Sequence, residues 1–268
     1  MAPNSTAMPQ AAATAPRDGE FVVAVERGLV VLESFGPGRE RLTLSQVAAL
    51  TGLSRGTARR FLLTLTRLDY LGTDNKLFWL KPKVLRFGNS YLAGFGRAEA
   101  VRPVVQAISH QLNESCSMAV LDGADVVYVA RAEARRVYSS RIDIGTRLPA
   151  HASSLGRVLL AGLSEAALDL WLARHPPVAW TERTITDPAL LREKIAEARR
   201  LRYAILDGEL EIGVRSIAVP VLDPMGRTVA ALNIGSAAGR APLGQLRRVY
   251  LPILRKAAQD IAQAVTSW

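Results

Sequence analysis

LTLSQVAALTGLSRGTARRFLLTLTRLDYL, residues 42–71, holds two short helical patterns joined by a tight turn, and four arginines precede its first acidic residue, Asp69. Thr43 and Gln46, three positions apart, have the form of a capping box, in which each side chain satisfies the other residue's free backbone N–H. They open a helix through Val47 and Leu50. Thr51-Gly52-Leu53 supplies the turn, and Ser54 caps a second helix. In that helix Ala58, Phe61 or Leu62, Leu65 and Leu68 recur at helical spacing as the inward stripe. Arg55, Thr57, Arg59, Arg60 and Thr64 therefore fall on the other faces, with Arg55 and Arg59 one turn apart. Guanidinium groups so placed bond guanine edges in a major groove or clamp phosphates, and Thr57 is short enough to let the helix approach. A basic helix face can also do no more than face water.

The flanking text favours the first use. Upstream, FVVAVERGLVVLESF places Val22, Val25, Leu29 and Leu32 at helical spacing before GPGRE breaks the pattern. Downstream, YLGTDNKLFWLK has two apolar runs around a Thr73-Asp74-Asn75-Lys76 turn, as expected of a β-hairpin. Three helices and a hairpin make a winged helix-turn-helix over residues 21–81. Pro82 suits a first helical turn, and PKVLRFGNSYLAGF continues as a helix until Gly94 and Gly96, which makes residues 82–96 a linker helix. Residues 1–20, rich in Ala, Pro, Ser and Thr, read as a disordered tail.

The chain has 268 residues, 49% of them hydrophobic, enough for roughly two domains of about 100–200 residues each. Its net charge is +10, and residues 21–90 hold 11 Lys/Arg against 5 Asp/Glu, a higher basic density than in residues 91–268, with 22 against 17. A localised positive charge fits nucleic acid better than general solubility. A single cysteine, Cys116, excludes an intramolecular disulfide and a cysteine-cluster metal site. With no apolar run near the roughly 20 residues of a membrane span and no signal-peptide pattern, the chain reads as cytoplasmic.

Residues 97–268 mix a helix near 101–112 with strand-like runs CSMAVL, DVVYVAR and RVYSSRI, an antiparallel meander. Helices are expected at residues 154–161, 165–174 and 188–202, strands at 203–206, 215–221 and 228–234, and a final helix at 244–265. One mixed sheet with helices on its faces is an α+β domain. Ser153 or Ser154 in HASSLGR can start a helix whose free N–H groups favour an anion such as a carboxylate. Arg136, Arg141 and Arg147 could neutralise that acid, and solvated edge-strand positions account for them equally well.

From FVVAVERGLVVLESF through the 42–71 stretch to DIGTRLPAHASSLGRVLLAGL and ELEIGVRSIAVPV, the chain resembles an IclR-type transcriptional regulator over nearly everything after residue 20. VVYVARAEARRVYSSRIDIGTRLPAHASSLGRVLLAGL is most similar to the branch containing PcaR, PcaU and PobR, which govern aromatic-acid catabolism through the β-ketoadipate pathway. The resemblance implies a winged helix-turn-helix joined by a helix to a GAF-like α/β domain with an antiparallel sheet. It implies binding to double-stranded operator DNA, a small carboxylic-acid effector such as protocatechuate or 4-hydroxybenzoate, and homodimers or dimers of dimers. A two-fold dimer calls for a palindromic operator.

On that basis Thr43, Ser54, Arg55, Thr57, Arg59, Arg60 and Thr64 are the DNA-binding set, with Gly56 standing where the family usually has a serine and removing one phosphate contact. The effector set is Arg136, His151, Ser153, Ser154, Leu155, Asp207, Ser216, Asn233 and Gly235. In it the backbone amides of Ser154 and Leu155 hold the acid. Ser216 replaces a common cysteine, and Asn233 and Gly235 replace serines found in some members, which leaves room for something other than a small keto acid. Asp207 lies near a family acidic position, and His151 stands where aromatic-acid relatives often have tyrosine. No cofactor is expected.

Two other classes remain. An enzyme would need a motif that is missing here: there is no GxSxG elbow or phosphate-binding loop, and Cys116 with His110, His151 and His175 forms no metal pattern. A DNA-binding or RNA-binding protein without small-molecule control would leave the α+β domain without a use.

Overall fold

A computed structural model describes residues 20–94, 98–134 and 142–264. The chain divides between Ser90 and Tyr91 into two compact units. Residues 1–19 of the expected tail, Phe95, Gly96, Arg136, Arg141 and most of the run RVYSSRI lie outside the described residues.

The first unit contains α1 (Val23–Glu33), β1 (Leu42–Thr43), α2 (Leu44–Thr51), α3 (Arg55–Arg67), β2 (Leu71–Thr73) and β3 (Leu77–Leu80). Thr43 and Gln46 make the expected capping box on α2, Gly52 ends that helix in the left-handed region at φ 68°, and Ser54 caps α3. A side chain other than glycine would be strained at Gly52, so the turn between the two helices is fixed by that residue. α3 buries Ala58, Leu62 and Leu65 against Val31, Val47 and Phe78. Leu68, expected in the same stripe, is 51% exposed, because α3 stops at Arg67 and Asp69 turns the backbone at φ 66°. The hairpin forms as expected, with Asn75 at φ 72°, and β1 adds a third strand in the order β1-β3-β2. On α1 only Val31 is buried; Val22, Val25 and Leu29, with Phe21, leave an exposed apolar face.

A 3₁₀ turn at Pro82–Val84 leads into α4 (Leu85–Gly94), and the division between the units falls within this helix. The second unit follows with α5 (Ala98–Leu112), β4 (Ser115–Asp122), β5 (Asp125–Ala132), β6 (Arg147–Pro149), α6 (Ser154–Ala161), α7 (Glu165–Arg174) and α8 (Pro188–Leu201). It continues with β7 (Ala204–Asp207), β8 (Val214–Leu222), β9 (Thr228–Ala237), α9 (Leu243–Gln245) and α10 (Leu251–Ala264). Strand order is β6-β5-β4-β9-β8-β7, and every described pairing is antiparallel, so the sheet is not mixed. β6 and β7, separated in the chain by α6, α7 and α8, sit on opposite edges of the sheet and never pair. α5 and α10 cover one face around Met118, Ile217 and Leu232, and α6 with α8 covers the other around Ala119, Ala218 and Ala231. Alanines on the second face let α6 lie close to the sheet. The final helix is interrupted by a π turn at Leu246–Tyr250, just ahead of Pro252, whose ring would meet the Arg248 carbonyl in a regular helix.

Among the described residues, no helix is long and apolar enough to cross a membrane, and no group of three or more His, Cys, Asp or Glu is placed to hold a metal ion.

Candidate functional site

Two sites can be built from the residues upward, one in each unit. On α3, Arg55, Arg59 and Arg60 are exposed, and none makes an ion pair or side-chain hydrogen bond among the described residues. In the second unit Arg131, Arg147, Arg157, Arg192, Arg199 and Arg215 each pair with a carboxylate, while exposed arginines such as Arg102, Arg174 and Arg247 are dispersed over different helices. Cations left without partners on one helix are what a polyanion would neutralise.

The hydroxyls near them are mostly committed. Thr43 Oγ1 donates to Gln46 Oε1 at 2.9 Å, Ser54 Oγ to Thr57 Oγ1 at 2.9 Å, and Thr64 Oγ1 to the Arg60 carbonyl at 2.8 Å. Thr57 accepts Ser54's proton and so keeps its own for an outside acceptor. Gly56 has open space around it. The wing adds Lys76 at its tip and Arg41, whose guanidinium lies 4.5 Å from the Trp79 ring centre. Neither was singled out in the sequence.

In the second unit a cavity of about 240 Å³ opens between the sheet and the start of α6. Its floor comes from the four adjacent strands β5, β4, β9 and β8: Ser117 pairs with Asn233 and Arg131, and Ser115 and Ser216 both pair with Gly235. Period-two alternation puts these side chains on one face. Ser153 caps α6, accepting from Gly156 N at 3.0 Å, and Arg157 N bonds the Ser153 carbonyl at 2.9 Å. The amides of Ser154 and Leu155 then have no acceptor within the helix, and they carry its positive dipole end. Ser154 Oγ and Asn233 Oδ1 are buried without a partner among the described residues. Buried polar atoms of that kind call for a ligand or water.

Of the expected effector residues, Ser153, Ser154, Ser216, Asn233 and Gly235 line the cavity. Leu155 is fully buried and is not on the lining, so its amide alone is relevant. His151 is not on the lining either: its Nε2 lies 2.9 Å from the Val178 carbonyl, and burial holds its pKa below the ordinary value. Asp207 pairs with Arg215 at 2.9 Å, away from the lining, and Arg147 is held by Asp122 and Asp125 at 2.6 and 3.1 Å. Arg136 and Arg141 lie outside the described residues.

The lining also holds residues the sequence did not single out. Arg131 bonds Ser117 Oγ at 3.1 Å and Glu133. Tyr128, whose phenol is pushed up to about 12 by burial, stays a neutral donor at physiological pH. Glu209 reaches the lining from the loop after β7. Strand register brings these together, and no local motif marks them.

Two family models match the chain: the IclR helix-turn-helix domain over residues 24–75 and the bacterial transcriptional regulator IclR C-terminal domain over residues 90–263. The Pca regulon regulatory protein of Pseudomonas putida is 39% identical over 91% of this chain and 84% of its own length. The p-hydroxybenzoate hydroxylase transcriptional activator of Acinetobacter baylyi is 38% identical over 93% of this chain and 94% of its own length. Among solved structures, a protein from Rhodococcus sp. RHA1 is 46% identical with a TM-score of 0.81, covering 91% of this chain and 98% of its own. An IclR homolog from Microbacterium hydrocarbonoxydans in complex with 4-hydroxybenzoate is 27% identical, with a TM-score of 0.78 over 90% of this chain and 98% of its own. The inducer-binding domain of a PobR double mutant from Acinetobacter, with 3-hydroxybenzoic acid, is 34% identical, with a TM-score of 0.57 over 62% of this chain and 96% of its own.

Proposed function

Because the chain belongs to the IclR family of transcriptional regulators, we propose that it binds a double-stranded operator through α3 and that a single-ring aromatic acid in the second-unit cavity adjusts this binding. Arg55, Arg59 and Arg60 are the cations that meet the duplex, with Thr57 as a hydroxyl donor to phosphate. Thr43, Ser54 and Thr64 hold the helices in shape and approach DNA through backbone or rotated hydroxyls. Residues 82–96 join operator-binding and effector-binding parts. The exposed apolar face of α1 supports pairing of two copies, and a two-fold pair would read a palindromic operator. The protein acts as a regulator rather than an enzyme.

The observation that carries the effector assignment is the start of α6, where two amides and the Ser154 hydroxyl stand unused beside the cavity. A carboxylate satisfies them and is favoured by the helix dipole. A volume of about 240 Å³ is close to that of roughly eight liquid waters, which is room for one substituted ring. The relatives' names and the two benzoate-type complexes point to the same chemistry.

The test is operator binding by the full chain with and without protocatechuate and 4-hydroxybenzoate, read by footprinting. A footprint whose affinity shifts at least fivefold with one of these acids supports the proposal. An operator affinity unmoved by every acid of the class, at concentrations where calorimetry detects no binding, overturns the effector assignment.

A further inference from the structure

Glu209 is held more tightly than a loop residue needs to be. Arg157 Nη2 donates to its Oε2 at 2.9 Å and to the His151 carbonyl at 2.9 Å, with the two side chains only 3% and 12% exposed. The backbone on either side is also fixed: Thr184 Oγ1 donates to the Glu209 carbonyl at 2.6 Å and Thr181 Oγ1 to that of Gly208 at 2.7 Å. Gly208 adopts φ 76°, and a Cβ there would crowd Arg183. A buried ion pair is costly to desolvate, and an apolar pair of similar volume would hold α6 to this loop as well. Structure alone does not account for a charged group here. Glu209 lines the cavity, and its Oε1 has no partner among the described residues.

A carboxylate only accepts hydrogen bonds, and it repels another carboxylate. Within one small cavity, Glu209 therefore opposes the acid end of a ligand and favours a hydroxyl donor. Arg131 and the amides of Ser154 and Leu155 do the reverse. Glu211 also lines the cavity but is exposed, where water competes for it. We propose that Glu209, positioned by Arg157, accepts the ring hydroxyl of the effector and so selects hydroxylated aromatic acids over unsubstituted ones. This rests on the aromatic-acid assignment above and adds a residue and a selection rule to it.

Calorimetry on the full chain decides it, with benzoate, 3- and 4-hydroxybenzoate, protocatechuate and the 3- and 4-methoxybenzoates, which keep the ring oxygen but lose its proton. At least one hydroxy acid should bind about tenfold or more tighter than benzoate and than its methoxy counterpart, the size expected of one hydrogen bond to a charged acceptor. Glu209→Gln should weaken that hydroxy acid by about tenfold and leave benzoate unchanged or slightly tighter. Should leaving Arg157 unpaired unfold this variant, the Arg157→Met/Glu209→Gln double variant removes both charges and takes the same panel. Equal binding of benzoate and its hydroxy derivatives, or a hydroxyl preference that survives the substitution, overturns the role of Glu209 alone. Absence of binding by every acid overturns it together with the aromatic-acid assignment.

Discussion

Gly156 has no space for a methyl group. A Cβ there would sit 2.1 Å from the Ala150 carbonyl oxygen and 2.3 Å from its Cα, so α6 begins pressed against the end of β6. Backbone atoms cannot yield as the tip of a side chain can. Gly156→Ala should therefore destabilise the protein by about 1–3 kcal/mol, the range for overpacking, despite alanine's better helix propensity. The same displacement moves the amides of Ser154 and Leu155, so ligand affinity should fall as well. Urea unfolding and calorimetry read the two effects, and unchanged stability would mean that α6 does not start where it is described. Gly56 on α3 is the opposite case, with nothing within 4 Å of a Cβ. Glycine there leaves the helix surface low rather than permitting a close contact within the chain.

On α3 the apolar stripe and the basic face have separate tests. Leu62 and Ala58 are fully buried and hold the helix to its unit, whereas Arg59 and Arg60 contribute nothing visible to that packing. Arg59→Ala or Arg60→Ala should leave the melting temperature and effector affinity unchanged and weaken operator binding by about 1–3 kcal/mol if the lost contact is to a base. If the contact is to phosphate, the slope of log K against log salt should instead fall by about 0.9 per residue. Intact affinity and slope in both variants would remove α3 from the interface. The helix and its caps were legible in the sequence because capping boxes, a glycine turn and helical spacing are local signals. Leu68 was misread because periodicity does not show where a helix stops. The cavity was legible at HASSLGR, where a helix start marks its wall, and at Ser216, Asn233 and Gly235 through resemblance to the family. Arg131, Tyr128 and Glu209 join it through strand register and a loop, which a single chain of letters does not disclose. His151 and Asp207 were legible as polar residues nearby, but their bonds to Val178 and Arg215 are set by tertiary neighbours.

At the scale of the whole molecule, the two sites lie in separate units of one chain, and the proposed coupling, as a free energy, must act in both directions. An acid that changes operator affinity does so only through a difference in its own affinity for the operator-bound and free protein. If 4-hydroxybenzoate shifts the operator dissociation constant by some factor, saturating operator must shift the 4-hydroxybenzoate constant by that same factor, typically about 5–150-fold for coupled sites. Calorimetric titration of the acid into protein with and without operator duplex measures the second factor, and operator titrations at zero and saturating acid measure the first. Arg59→Ala, with operator binding weakened and the cavity untouched, should keep the acid's affinity for the free protein. A Glu209 substitution should lower acid affinity in both states while leaving the ratio near its original value. Unequal factors in the unaltered protein would mean that the acid also acts outside the cavity, for instance on the assembly of the chains, and the equality would then be restored only after the change in oligomeric state is included.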